Sequence, residues 1–225
     1  MRIVRTFRLA LVAAAIVPAL VGAQGTSNSP RGFQDSWFWG AKGGSTMFTT
    51  GADGASKVSA PTVGAEWLIT RTHAALYVSI EQAFFDNTAG VFDASAPGSV
   101  RTVDINDLRR YNAGIFFFPL EYGKLRPYAG LGVALNVIQN ADPLGTYTSA
   151  NAQQGVFEAV DDQSSRVAAV FTLGAQAQLQ PRLSVFAQAA TMPTRRNFLI
   201  NGAANTFVIE AGVRFNVIRA IDPLK

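Results

Sequence analysis

Hydrophobic and polar residues alternate along much of this chain with the two-residue period of a β-strand. In the stretch 127–137, Leu131, Val133 and Leu135 share an apolar parity, while the other parity holds glycine, alanine and asparagine. The same alternation occurs in 166–178 and 206–217, and less regularly in 36–49, 62–70, 74–85, 102–118 and 182–192. The pattern therefore predicts an all-β protein with eight strands.

The connections between these strands are alternately short and long. Short connections are expected at 71–73, 119–124 and 179–181, and long ones at 50–61, 86–101, 138–164 and 193–205. In an up-and-down barrel, successive connections lie at opposite rims, so all four long loops would lie on one side. Outer-membrane barrels show this arrangement. We therefore expect residues 36–217 to form an eight-stranded antiparallel up-and-down transmembrane β-barrel.

The polar parity of the strands indicates which face meets which surroundings. It is rich in glycine and small polar residues with few charges, which suits the narrow lumen of an eight-stranded barrel. The apolar parity would then face lipid. Each glutamate inside should pair with Lys42, Arg166 or Arg214, because an unpaired buried charge is costly. The predicted lumen charge network consists of Lys42, Glu66, Glu81, Arg110, Arg166, Glu210 and Arg214.

Aromatic residues cluster near the predicted strand ends, where amphipathic rings favour a membrane interface. One group falls at the rim that carries the short turns and forms a predicted girdle of Trp37, Trp39, Trp67, Phe117 and Phe215. A second group, near the opposite rim, consists of Phe48, Phe84, Phe85 and Phe207.

The N-terminus has the features of a secretory signal peptide. Arg2, Arg5 and Arg8 precede an apolar run over 9–21, which is too short to span a bilayer as a helix. Small residues at 21–23 predict cleavage after Ala23, followed by a flexible lead-in over 24–35. Removing the signal lowers the formal net charge from +4 to +1, so the charge indicates no nucleic-acid partner.

The composition excludes several kinds of site. The chain has no cysteine, so no disulfide framework holds an exported fold together. Its single histidine, His73, falls in a short turn, which argues against histidine-based catalysis and most transition-metal sites. We therefore expect no catalytic residue, no metal site and no cofactor.

Two short motifs resemble those of small outer-membrane barrels of the OmpA/OmpX type. The stretch 125–132, Leu-Arg-Pro-Tyr-Ala-Gly-Leu-Gly, looks like a strand opening common in that superfamily. The last strand is similar to the assembly signal of such barrels through Glu210, Gly212, Phe215 and Val217. The resemblance covers 36–217 and implies a Gram-negative outer-membrane location, with periplasmic chaperones and the outer-membrane insertion machinery as assembly partners. The family usually ends on an aromatic residue, whereas Val217 holds that place here and a short tail, 218–225, continues.

The expected role is structural or interactive and non-enzymatic: envelope integrity, adhesion or binding through the long loops. Outer-membrane lipid and lipopolysaccharide are expected partners, and Arg195 and Arg196 are candidates for contact with lipopolysaccharide phosphate. One alternative is a narrow pore or transporter for small or apolar solutes. Another is a soluble periplasmic lipocalin-like binding barrel, whose apolar parity would point inward. The surface ligand is not predicted.

Overall fold

The computed structural model of the chain describes residues 33, 35–51, 55–193, 198–200 and 205–219. Within them eight antiparallel strands form a closed barrel in chain order, with β8 paired back to β1. The strands are β1 (Ser36–Thr50), β2 (Ser56–Thr70), β3 (Ala74–Phe92), β4 (Val100–Phe117), β5 (Leu125–Pro143), β6 (Ser165–Gln180), β7 (Leu183–Pro193) and β8 (Asn205–Arg219). The predicted fold class is confirmed. The predicted signal peptide, Arg195, Arg196 and the tail from residue 220 lie outside the described residues.

Strand length differs around the barrel. β3, β4 and β5 have 19, 18 and 19 residues, whereas β7 has 11. Because roughly 9–11 residues suffice for a strand to cross a membrane, β3–β5 extend well past the bilayer as a raised wall. The connection at the tip of β3 and β4 is therefore 93–99, shorter than the predicted 86–101. A β-bulge between Ala83 and Asp86 shifts the parity of β3, which hid the continuation of the strand from pattern analysis.

The connection between β5 and β6 contains a helix, α1 (Ala150–Ser164), in a segment that the sequence analysis treated as loop. Ser149 caps its N-terminus, since its side-chain oxygen accepts a hydrogen bond from the Ala152 amide at 3.2 Å. Val156 and Val160 form its buried face. No helix among the described residues is long and apolar enough to cross a membrane.

Large apolar side chains cover the outside of the barrel. They are exposed on seven of the described strands and include Trp39 on β1, Val63 on β2, Leu76, Val78 and Ile80 on β3, Tyr111, Ile115 and Phe117 on β4, Leu131, Val133 and Leu135 on β5, Val167, Phe171 and Leu173 on β6, and Ile209 and Val213 on β8. The residues between them point inward and include buried charges. A water-soluble barrel has the reverse arrangement, so the lipocalin-like alternative is wrong and the barrel spans a membrane.

The lumen is filled in three layers rather than by polar residues throughout. Aromatic side chains occupy the end near the short turns, polar and charged side chains the middle, and apolar side chains the end near the long loops. Phe48, expected on the outer surface, is buried in this last layer because it has the inward parity of Lys42. Phe85 packs on it with ring centroids 4.9 Å apart, and the bulge in β3 accounts for its inward orientation.

Candidate functional site

The middle layer of the lumen contains a cluster of ion pairs centred on Lys42. The Lys42 ammonium lies 2.5 Å from Glu81 Oε1 and 3.0 Å from Glu210 Oε2. Arg110 Nη1 lies 2.8 Å from the second oxygen of Glu81. Lys42 also donates a hydrogen bond to the Tyr77 hydroxyl at 2.7 Å. All these side chains are buried, so each charge depends on its partners rather than on water.

A second ion pair joins Arg214 of β8 to Glu66 of β2. Arg214 is fully buried, donates to Gln176 Oε1 at 2.6 Å, and lies 3.9 Å above the centre of the Phe186 ring. Gln188 extends the hydrogen bonding between the aromatic layer and the Lys42 cluster. It accepts a hydrogen bond from the Tyr128 hydroxyl at 2.8 Å and donates one to Glu210 at 2.9 Å.

Arg166 takes no part in these ion pairs. Its side chain is half-buried and has no ion pair among the described residues. Arg110, not Arg166, is the second cation on Glu81, because Arg110 lies directly opposite Glu81 on the neighbouring strand. Asn136 separates the two arginines on β5 and accepts a hydrogen bond from Arg110 at 2.9 Å. Without Arg166, the predicted network has three positive charges and three negative charges, so its net charge is zero.

Glycines opposite the large inward side chains make this packing possible. Gly40 pairs with Glu66, and Gly64 pairs with Glu81. A Cβ atom on Gly40 would lie 2.8 Å from Glu66 Cγ, and one on Gly64 would lie 2.9 Å from Glu81 Cγ. These distances are closer than van der Waals contact allows, so each carboxylate side chain lies over a position that only glycine fits. Gly40 and Gly64 are thus packing residues of the lumen.

Both ends of the lumen are closed by apolar residues. Near the short turns, the Phe116 ring stacks between Tyr77 and Tyr128, with centroids 4.3 Å and 4.9 Å away. Phe33, within the predicted flexible lead-in, is buried there with its ring 4.6 Å from that of Phe118. Beside the charges lies a cavity of about 20 Å³, which is room for a single water molecule.

At the long-loop rim, α1 and residues 198–200 cover the mouth. Phe198 and Ile200 are buried in the same apolar cluster as Val156 and Val160 of α1. The Leu199 amide donates to the Gln163 carbonyl at 3.0 Å. Its carbonyl accepts a hydrogen bond from the Thr50 hydroxyl at 3.1 Å. Side chains of the described residues therefore seal the barrel at this end as well.

Comparison with known proteins agrees with this geometry. No protein-family model and no curated protein sequence matches the chain. Among solved structures, Neisserial surface protein A (NspA) aligns with 80% of this chain and 97% of its own, at 13% identity and a TM-score of 0.53. Together, the fold and the lipid-facing belt show a small membrane-spanning β-barrel with the fold of NspA.

Two further solved structures align at lower similarity. Ail, the attachment invasion locus protein of Yersinia pestis, crystallised with sucrose octasulfate, aligns with 81% of this chain and 99% of its own, at 14% identity and a TM-score of 0.44. The outer membrane protease OmpT of Escherichia coli covers 86% and 99%, at 10% identity and a TM-score of 0.41. These scores are too low to transfer any property to the barrel.

The raised wall carries an ion pair that sequence reasoning missed. Arg101 Nε lies 2.5 Å from Asp93 Oδ2, and the same guanidinium donates to the carbonyls of Leu144 at 2.8 Å and Thr146 at 3.2 Å. Hydrogen bonds from Ser95, and then the contact with Arg101, lower the pKa of Asp93 below its ordinary value. Arg101 therefore ties the β3–β4 tip to the segment before α1. No sequence signal marked this pair, since both residues fell in a predicted loop.

The remaining predicted residues lie as follows. Trp39 and Phe117 are exposed on the outer face, and Trp67, Trp37 and Phe215 are half-buried there. The Trp39 and Trp67 rings stack with centroids 5.9 Å apart.

Of the assembly-signal residues, Glu210 is buried in the lumen, Gly212 lies at an inward strand position, and Phe215 and Val217 lie at outward positions. His73 is exposed in the turn 71–73. Among the described residues, no group of three or more potential ligands could hold a metal ion.

Proposed function

We propose that this outer-membrane barrel is non-enzymatic and acts as a structural and surface-interaction protein through its long-loop rim. One observation carries the proposal: the described lumen is filled by packed side chains, while the long-loop rim is elaborated. The β3–β5 wall projects beyond the apolar belt, and α1 with the Arg101 hydrogen bonds makes this rim an ordered surface.

Exposed apolar side chains on this rim support an interactive role. Phe92 is 74% exposed and Val100, its register partner, is 39% exposed at the tip of the wall. Leu144 lies beside them, because its amide donates to the Thr102 carbonyl at 2.9 Å. Phe157 presents a further ring on α1, 47% exposed. Such side chains outside the membrane belt are available to a partner surface.

The placement of the titratable groups supports a non-enzymatic role. The lumen carboxylates of Glu66, Glu81 and Glu210 are engaged in ion pairs and enclosed by apolar layers at both ends. His73 lies at the rim opposite α1. A hydrolytic site would need an acid or base within reach of a substrate.

The proposal is tested by displaying the full chain in the outer membrane of a laboratory Gram-negative host. We expect expressing cells to attach to cultured epithelial cells and to a hydrophobic polymer surface better than cells without the protein. The double variant Phe92→Ser with Phe157→Ser should reduce attachment. The matched control is Leu120→Ser with Tyr122→Ser, which removes two exposed apolar side chains at the short-turn rim. Each variant is first shown to be a folded barrel by its mobility shift on boiling.

Equal attachment by all these strains would contradict the interactive role. The purified barrel should also give no stable conductance in planar bilayers and no turnover of lipid A or peptide substrates. Reproducible conductance steps would instead favour the narrow-pore alternative, since an open path would then have to run past the small cavity beside the charges. Turnover that survives repurification would overturn the non-enzymatic assignment.

A further inference from the structure

The barrel wall has a partial separation between β2 and β3. Their backbone pairing ends at Thr62 and Ala83, although β2 continues to Ser56 and β3 continues to Phe92. β2 stays paired with β1 over this upper part, and β3 stays paired with β4. The two neighbours therefore part from one another on the long-loop side of the Thr62–Ala83 pair.

Three local features coincide with this separation. Pro61, which has no backbone N–H to donate to a ladder, directly precedes the last paired residue of β2. The bulge between Ala83 and Asp86 bends β3 at the same level. Asp107, opposite the bulge on β4, has a left-handed φ of 56°, and its Oδ1 accepts a hydrogen bond from the Phe85 amide at 3.3 Å. The separation is therefore built by several residues.

A groove of about 650 Å³ lies on the wall at this point, a size within the range of ligand sites. One part of its lining is apolar and continuous with the lipid-facing belt: Val63, Ala65, Ile80 and Phe84. The other part is polar and consists of Gln82, Asp107, Arg109, Gln139 and Asn140. Gly64 and Glu81 line its inner side, where the Glu81 carboxylate is already paired with Lys42 and Arg110. On β4 and β5 these polar residues follow the outward apolar residues Tyr111 and Leu135 toward the long loops. The groove thus lies at the interface between the apolar belt and the outer polar zone.

Arg109 supplies the positive charge of the groove. It lies at an outward position between the buried residues Leu108 and Arg110, and its Nε donates to Gln82 Oε1 at 3.0 Å. Within the described part of the chain, neither terminal amino group of its guanidinium has a hydrogen-bond partner or an ion pair. An arginine on the lipid face is unfavourable unless it lies near the interface, and a guanidinium is well suited to binding phosphate through two donors.

We infer that this groove binds one phosphate-bearing lipid of the outer leaflet. An acyl chain packs against Val63, Ile80 and Phe84, and the phosphate accepts hydrogen bonds from Arg109. This site uses different residues from the loop arginines considered above. It is also independent of any surface-binding role of the rim.

The test measures lipid retention by the full-length barrel with native mass spectrometry. The protein is reconstituted in phosphatidylcholine vesicles containing lipid A and then extracted in mild detergent. We expect the unmodified barrel to retain one lipid A, and Arg109→Gln to reduce retention severalfold. Val63→Trp, which fills the apolar end of the groove, should also reduce retention. Arg71→Gln, which removes an exposed arginine at the opposite rim, is the matched control and should retain lipid as the unmodified barrel does.

Two further conditions identify the ligand chemistry. The unmodified barrel should retain dephosphorylated lipid A no better than the Arg109→Gln variant retains intact lipid A. Excess inorganic phosphate should not displace intact lipid A, since the acyl contacts are part of the site. Equal retention by the unmodified barrel and Arg109→Gln would overturn the inference, and so would full displacement by inorganic phosphate. Arg109→Gln keeps the test decisive if Val63→Trp fails to show the mobility shift of a folded barrel.

Discussion

The ion pairs of the lumen and the ion pair of the raised wall both join a basic side chain to a carboxylate, but at different places in the barrel. Lys42, Glu81 and Arg110 lie inside the membrane-spanning part, where each loses its hydration on folding. Arg101 and Asp93 lie at the tip of the wall, and Arg101 also binds two loop carbonyls there. The lumen pairs therefore stabilise the barrel itself, while the wall pair, whose side chains are buried within the tip, orders the surface of the long-loop rim.

The largest effect is expected from breaking the lumen cluster. Glu81→Gln removes the shared partner of Lys42 and Arg110 and leaves buried positive charge uncompensated, which should lower the free energy of unfolding by about 3–5 kcal/mol. Urea titration in detergent micelles, followed by the mobility shift, measures this. Glu121→Gln, which removes an exposed pair with Arg126, is the control and should cost about 0–1 kcal/mol. Similar losses in the two variants would contradict the distinction drawn between lumen and surface pairs.

The next largest effect is expected at Gly64, where the absence of a side chain leaves room for Glu81. Gly64→Ala would place a Cβ 2.7 Å from the Ile80 carbonyl and 2.9 Å from Glu81 Cγ, so it should destabilise the barrel by about 1–3 kcal/mol through overpacking. Gly43→Ala on the neighbouring strand is the matched control, because its Cβ would meet only the Thr62 carbonyl at 3.7 Å. The same urea titration distinguishes them. If Gly64→Ala is as stable as Gly43→Ala, the close packing of Glu81 is not required.

A smaller and more local effect is expected at the wall. The pKa of Asp93 is lowered in the folded protein. The ionised carboxylate therefore stabilises the wall at neutral pH, and this stabilisation is lost as the pH falls through the lowered pKa. Limited proteolysis of the segment 144–149 should therefore become faster on acidification, while the mobility shift of the barrel persists. Asp93→Asn should be cleaved faster already at neutral pH and lose the pH dependence over this range. Cleavage that rises with acid equally in both proteins would show that Asp93 is not the responsible group.

The smallest effect concerns two like charges on the wall. Asp104 of β4 lies directly opposite Asp142 of β5, an arrangement that is unfavourable across strands. Asp142→Thr should therefore stabilise the protein by about 0.2–1 kcal/mol at low salt. The gain should shrink at high salt, where the repulsion is screened. A gain that does not depend on salt would indicate strand propensity rather than charge as its source.

The hydrophobic pattern of the chain was enough to predict the number of strands, their alternating faces and the segregation of short and long connections. These features follow from a two-residue period and from turn spacing, which are local properties of the chain. The apolar parity of β5, with Leu131 and Leu135, predicted the lipid-facing side, and the glycines of the other parity predicted a crowded lumen.

Which side chains contact one another depends instead on how the strands pair and close into the barrel. Register placed Arg110 rather than Arg166 against Glu81. A bulge that alternation cannot encode carried β3 on to Phe92 and turned Phe85 inward, where it packs on Phe48. The α1 segment is stabilised by burying Val156 and Val160 over the lumen mouth. Each of these depends on contacts between residues distant in the chain, because closure of the barrel sets which strand faces lie opposite one another.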